Sequence, residues 1–119
     1  MRFALFGNIY QARKSASIQK VLSTIANYGA ELYVDMEYFY FLKDNQRLDV
    51  NATKVFTGSD FEADFAISMG GDGTFLKTAS RVGHKDIPIL GVNMGRLGFL
   101  ADVSVTDFPS TVDALYGGD

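Results

Sequence analysis

The sequence predicts an α/β fold, an open and mostly parallel sheet with helices on its flanks. Three observations lead there. Short apolar runs of strand length alternate along the chain with segments of helical spacing. The run "IPILGVN" is apolar almost throughout, as in parallel strands covered on both faces. Two strand candidates pass directly into glycine-rich turns, "SMGGDG" and "NMGRLG", at the strand ends where open α/β sheets hold ligands.

The elements follow in order. "RFALFG" is a short strand closed by Gly7. Ile18, Val21, Leu22 and Ile25 fall at i, i+3, i+4 and i+7, one face of a helix. Ser15 or Ser17 suits its N-cap, and Gly29 stands where a C′ glycine ends it. "AELYVDM" is the second strand. Tyr38, Phe41 and Leu42 mark a short helix within an aromatic-rich core segment. "TKVFTG" fits a strand or a loop equally, whereas "DFAISMG" is a strand ended by paired glycines. "TFLKTASRVG" is a helix ending at Gly83, and "IPILGVN" the next strand. After a polar loop, "TDFPSTVDALYGG" is a helix capped by Thr106 and stopped by Gly117.

A chain of 119 residues suits one domain with a modest core. Its 47% hydrophobic and 21% charged content argues against disorder, and a net charge of −3 gives no footprint for nucleic acid. No apolar stretch approaches the ~20 residues of a membrane span, and the N-terminus lacks the pattern of a signal peptide. With no cysteine, disulfides and thiolate metal sites are excluded, in keeping with a cytoplasmic location. His84 has only Asp86 near it and reads as a surface histidine; Asp60, Glu62 and Asp64 read as a solvated acidic loop. The end, "DALYGGD", has the composition of a linker and suggests a domain boundary.

The chemistry concentrates in "AISMGGDGTFLKTAS", residues 66 to 80. Strand, glycine turn and helix in that order make a phosphate cradle from free amides and the positive end of the helix. No Walker sequence GxxxxGK[ST] exists, and a dinucleotide GxGxxG would need glycine where Leu76 stands. Asp72 is the informative residue. Either it is a turn residue or helix N-cap, or it accepts a proton from a hydroxyl attacking phosphorus. A second glycine stretch, "ILGVNMGRLGFLADV", ends a separate strand and suits the opposite lip of one crevice. Its Phe99 and Leu100 are either core residues or an apolar wall against a ligand ring.

"GGDGTFL" followed by "GVNMGRLGFL" resembles the N-terminal domain of the NAD kinases, the ATP-NAD 2′-phosphotransferases. The first motif alone is shared with diacylglycerol and sphingosine lipid kinases; the second discriminates. The resemblance implies that Asp72 takes the proton of the adenosine-ribose 2′-hydroxyl of NAD as that oxygen attacks the γ-phosphorus of ATP. It implies backbone contact at Gly73, phosphate neutralisation by Lys77 (or a plain surface lysine), packing by Phe99, and a pocket shaped by Asn93 and Leu76. The nucleotide-binding set is Gly71, Asp72, Gly73, Thr74, Leu76, Lys77, Asn93 and Phe99; Arg96 is given no role. Magnesium is expected with the ATP phosphates and without a protein ligand. The resemblance further implies a β-rich second domain absent from residues 1–119, a homodimeric or homotetrameric full enzyme, and little activity from this chain alone. The alternatives are a lipid kinase domain and a non-catalytic nucleotide-binding module. ATP, another nucleotide and polyphosphate all stay open as donors.

Overall fold

The computed structural model describes residues 1–9, 15–93 and 102–117. Its strands are β1 (Arg2–Gly7), β2 (Glu31–Asp35), β3 (Lys54–Phe56), β4 (Phe65–Gly70), β5 (Ile89–Asn93) and β6 (Asp102–Ser104). All pair in parallel, in the order β3-β2-β1-β4-β5-β6. The helices are α1 (Ser15–Asn27), α2 (Met36–Tyr40), α3 (Asp72–Val82) and α4 (Phe108–Gly117). A π-helical turn, Phe41–Asn45, continues α2.

Side-chain alternation explains why β1 lies in the middle. Phe3 and Leu5 enter one apolar cluster with Ile18, Val21, Leu22 and Ile25 of α1 and with Phe108 and Val112 of α4. Ala4 and Phe6 enter the other, with Val82 of α3 and the loop residues Phe61 and Ile87. A strand of alternating destinations whose residues from Phe3 to Phe6 are all apolar has no solvent face there, so helices must cover both sides. Burying one such Leu, Ile, Val or Phe stabilises by roughly 1.5–3 kcal/mol. Phe6, Phe56 and Phe61 meet with ring centroids 4.6 to 5.5 Å apart, fixing the α3 side.

The α1 face is the one its spacing predicts, and its end is a Schellman turn. Gly29 at φ +66 donates to the Ala26 carbonyl (3.0 Å), and the Ala30 amide reaches back to Ile25. The aromatic segment is core, as expected: Tyr38 and Leu42 are buried. The segment "TKVFTG", which fits a strand or a loop in the sequence, is a strand, β3. Three details differ from the sequence reading, which places no strand at the three-residue β6. Helix α4 starts at Phe108, leaving Thr106 in a turn; the Asp107 carbonyl accepts from Ser110 Oγ and Thr111 Oγ1, and Pro109 sits in the first turn, where its missing N–H is no loss. Helix α3 begins at Asp72, two residues before the expected start, and this matters for the site.

Strands β1 and β4 are neighbours, but β1 feeds α1 on one face while β4 feeds α3 on the other. The chain therefore diverges at their carboxyl ends, Gly7 and Gly70, and leaves a crevice there.

Candidate active site

The glycines at residues 70, 71 and 73 have different physical causes. Gly70 ends β4 at φ +154, and a Cβ on it would stand 2.6 Å from Thr74 Oγ1 and 3.3 Å from the Asn8 Cβ. The fold requires glycine at this position. Gly71 is the N-cap of α3 with ordinary extended dihedrals, and a Cβ there would meet nothing within 4 Å. Gly73, inside the first turn, likewise faces open space. Glycine at such a position costs about 0.5–1 kcal/mol against alanine. Packing therefore calls for neither Gly71 nor Gly73, and their effect is to keep the backbone bare.

Bare backbone at this place is useful because the N-cap, Gly71, supplies no side chain to cap α3. The first helical bond runs from Phe75 N–H to the Gly71 carbonyl, 3.0 Å. The amides ahead of Phe75 have no acceptor further back in the helix and point out of its positive end. Asp72 lies in this turn, exposed, without a side-chain hydrogen bond or ion pair among the described residues. The N-cap role allowed by the sequence falls to Gly71 instead. Asn93 ends β5 as the register partner of Gly70 and so stands beside the same turn.

Below the turn is a crevice of about 240 Å³ between α3 and the ends of β1 and β2. Gly73, Thr74, Lys77, Thr78 and Arg81 form its α3 wall, and Phe6, Gly7, Asn8, Ile9, Asp35 and Glu37 the opposite side. Helical geometry selects that wall, since residues three and four apart share a face. Lys77 is exposed and has no carboxylate partner among the described residues. Leu76, 69% exposed, sits four residues from Asp72 on the neighbouring face and does not line this crevice.

The floor is braced by one cluster. Arg81 Nη2 donates to Asp35 Oδ1 and Arg81 Nε to the Gly58 carbonyl, both at 2.5 Å. The guanidinium lies 5.1 Å from the ring centre of Phe6 and 5.9 Å from that of Phe56. Asp35 Oδ2 accepts from the Tyr38 amide at 3.2 Å and so caps α2. Gly7 leaves space for the buried Tyr38 ring, into which a Cβ at residue 7 would project. Burial holds the Tyr38 phenol well above its ordinary range.

Gly73, Thr74 and Lys77 thus meet in one crevice, whereas Gly71 and Asp72, at the start of α3, and Asn93, the register partner of Gly70 across β4, do not line it. Phe99, with Gly95, Arg96, Gly98 and Leu100, lies outside the described residues. Sequence reasoning did not single out Gly7, Asn8, Asp35, Glu37 or Arg81. A signal existed for Asp35, an acid at the carboxyl end of a strand in a doubly wound sheet. Arg81 carried one too, lying four residues beyond Lys77.

Residues 9–119 match the family model described as the ATP-NAD kinase N-terminal domain. A NAD kinase of Bacteroides fragilis is 51% identical over 116 residues, covering 98% of this chain and 40% of that protein. A NAD kinase of Porphyromonas gingivalis is 36% identical over 118 residues, covering 99% of this chain and 41% of its own length. The chain thus spans about 40% of the length of these curated relatives. Among solved structures, yeast NADH kinase complexed with NADH superposes with a TM-score of 0.78 at 16% identity, over 98% of this chain and 36% of that one. A NAD kinase from Archaeoglobus fulgidus in complex with ATP gives 0.60 at 20% identity, over 99% and 38%. At those identities the two structures establish the fold.

Proposed function

The chain belongs to the NAD kinase family, matching its N-terminal domain, and from that premise we propose that it carries the phosphotransfer half of a site making NADP from NAD and ATP. The observation that carries this reading is Asp72: an exposed carboxylate without a partner among the described residues, between two glycines that packing does not require.

In this mechanism the amides of the first turn of α3 hold donor phosphate oxygens, and Gly73 lets them approach without a side chain between. Lys77, one turn on, offsets charge on the transferred group. Asp72 accepts the proton of the adenosine-ribose 2′-hydroxyl as its oxygen forms a bond to the γ-phosphorus; the bond from that phosphorus to the bridging oxygen breaks and ADP leaves. Asn93, beside Gly70, shapes the acceptor side, with Phe99 packing on the ligand. Such a base contributes ~10²–10⁴-fold in rate, and the rest of the acceleration belongs to positioning and charge stabilisation. Among the described residues no three ligating side chains gather. A magnesium ion would accompany the donor in this proposal, held by phosphate oxygens and water.

The remaining contacts to the dinucleotide come, in this proposal, from polypeptide that the longer relatives carry and residues 1–119 do not. We infer a β-rich second domain there, a homodimeric or homotetrameric enzyme and a cytoplasmic location. No described helix is long and apolar enough to cross a membrane. The lipid-kinase alternative shares only the first motif, and the two curated relatives named above are NAD kinases. The experiment is to incubate the full-length protein with ATP and either NAD or diacylglycerol, and to measure phosphorylated product. NADP alone is the expected result; phosphorylated lipid, or no product from either, contradicts the proposal.

A further inference from the structure

We propose that a second hollow, between the C-terminal half of α1 and β2, binds a small organic cation, a primary ammonium on an apolar tail. It shares no lining residue with the crevice beside α3. The proposal is therefore independent of the phosphotransfer reading.

The hollow encloses about 370 Å³, near the lower end of the range for small-ligand sites. Leu22, Ile25 and Leu32, buried members of the core on the α1 side, make its floor. Exposed Gln19, Ser23 and Asn51 stand at its rim. Gly29, at the end of α1, also lines it, and a Cβ there would meet nothing within 4 Å. The backbone at the helix end is therefore uncovered. A ligand that fills this space needs an apolar body for the floor and a polar head for the rim.

The sign of the head follows from two sources of negative potential. The hollow takes in the C-terminal end of α1, the negative end of the helix dipole, and the last turn carries no basic residue to offset it. Asp49 supplies the second source. It is the one charged residue among the described lining, exposed and without an ion pair among the described residues. Lys20 and Arg47, close to these segments in sequence, do not line the hollow. An anionic head is repelled here. A neutral head gains only a hydrogen bond, whereas an ammonium donates to the Asp49 carboxylate with the charge in its favour.

The test uses calorimetry on the full-length protein with three probes of equal tail length: hexylammonium, hexanol and hexanoate. Hexylammonium is expected to bind most tightly and hexanoate least. Asp49→Asn should weaken hexylammonium by roughly threefold to tenfold, the order of one charge contact beside solvent. The same variant should leave hexanol unchanged. Ala26→Leu, which adds bulk to the exposed wall of the hollow on α1, should weaken hexylammonium and hexanol alike. Melting temperatures report that both variants stay folded. Equal affinity for the three probes overturns the proposal, as does hexylammonium binding that neither variant changes.

Discussion

At the scale of single residues, two neighbouring glycines give opposite forecasts. Gly70→Ala forces a Cβ against Thr74 Oγ1 in a backbone region that L-residues rarely adopt. It should lower unfolding free energy by about 1–3 kcal/mol, read from urea denaturation. Gly73→Ala faces open space inside the first turn of a helix. It should raise stability by about 0.5–1 kcal/mol while weakening nucleotide binding, because the added methyl stands before the free amides. A stabilised variant with undiminished affinity would show that the bare backbone has no part in binding. From the sequence alone these glycines are indistinguishable. Their separate causes depend on Thr74 and Asn8 packing against one of them, which is tertiary information.

At the scale of elements, the cluster of Asp35, Arg81 and Tyr38 joins β2, α2 and α3 below the site. Asp35→Ala removes the α2 cap and leaves Arg81 facing its carbonyl partner alone. The cap is worth about 1 kcal/mol, and the half-buried charge contact adds to it. A loss of about 2 kcal/mol is expected by thermal or urea unfolding. A loss within a few tenths would mean that the cluster braces nothing. Tyr38 adds a pH dependence. Its folded-state pKa lies above the ordinary value near 10.0, so the folded state keeps the proton that the unfolded state releases. The stabilisation is whole below pH 10 and is lost as pH rises above it. Tyr38→Phe should therefore flatten the fall in stability above that pH.

Elements also divide by what their sequence carries. "IPILGVN" and "FAISMG" were legible because an unbroken apolar run fits few environments, and α1 because four apolar residues shared one face. Strand β6 leaves no signal in the sequence because three residues carry too little periodicity. The start of α3 is hidden in the sequence because glycine weighs toward loops, yet here Gly71 is the N-cap and Gly73 lies inside the first turn.

At the scale of the whole molecule, the sheet order puts β1 and β4 side by side with their helices on opposite faces. Motifs near residues 72 and 93, twenty-one positions apart, reach the same edge because β4 and β5 pair in register at Gly70 and Asn93. The motif of the first turn was readable in one dimension. The crevice below it was not, since Asp35 and Arg81 are 46 residues apart and their pairing depends on the crossover between β2 and α3.

The central claim is that the carboxylate of Asp72 acts on the acceptor hydroxyl and holds no part of the fold. Measuring kcat and NAD affinity for Asp72→Asn in the full-length protein tests it most directly. The account predicts a fall in kcat of roughly 10²–10⁴-fold, with NAD affinity and melting temperature nearly unchanged. A variant that keeps its kcat, or that loses activity only because it unfolds, would contradict it.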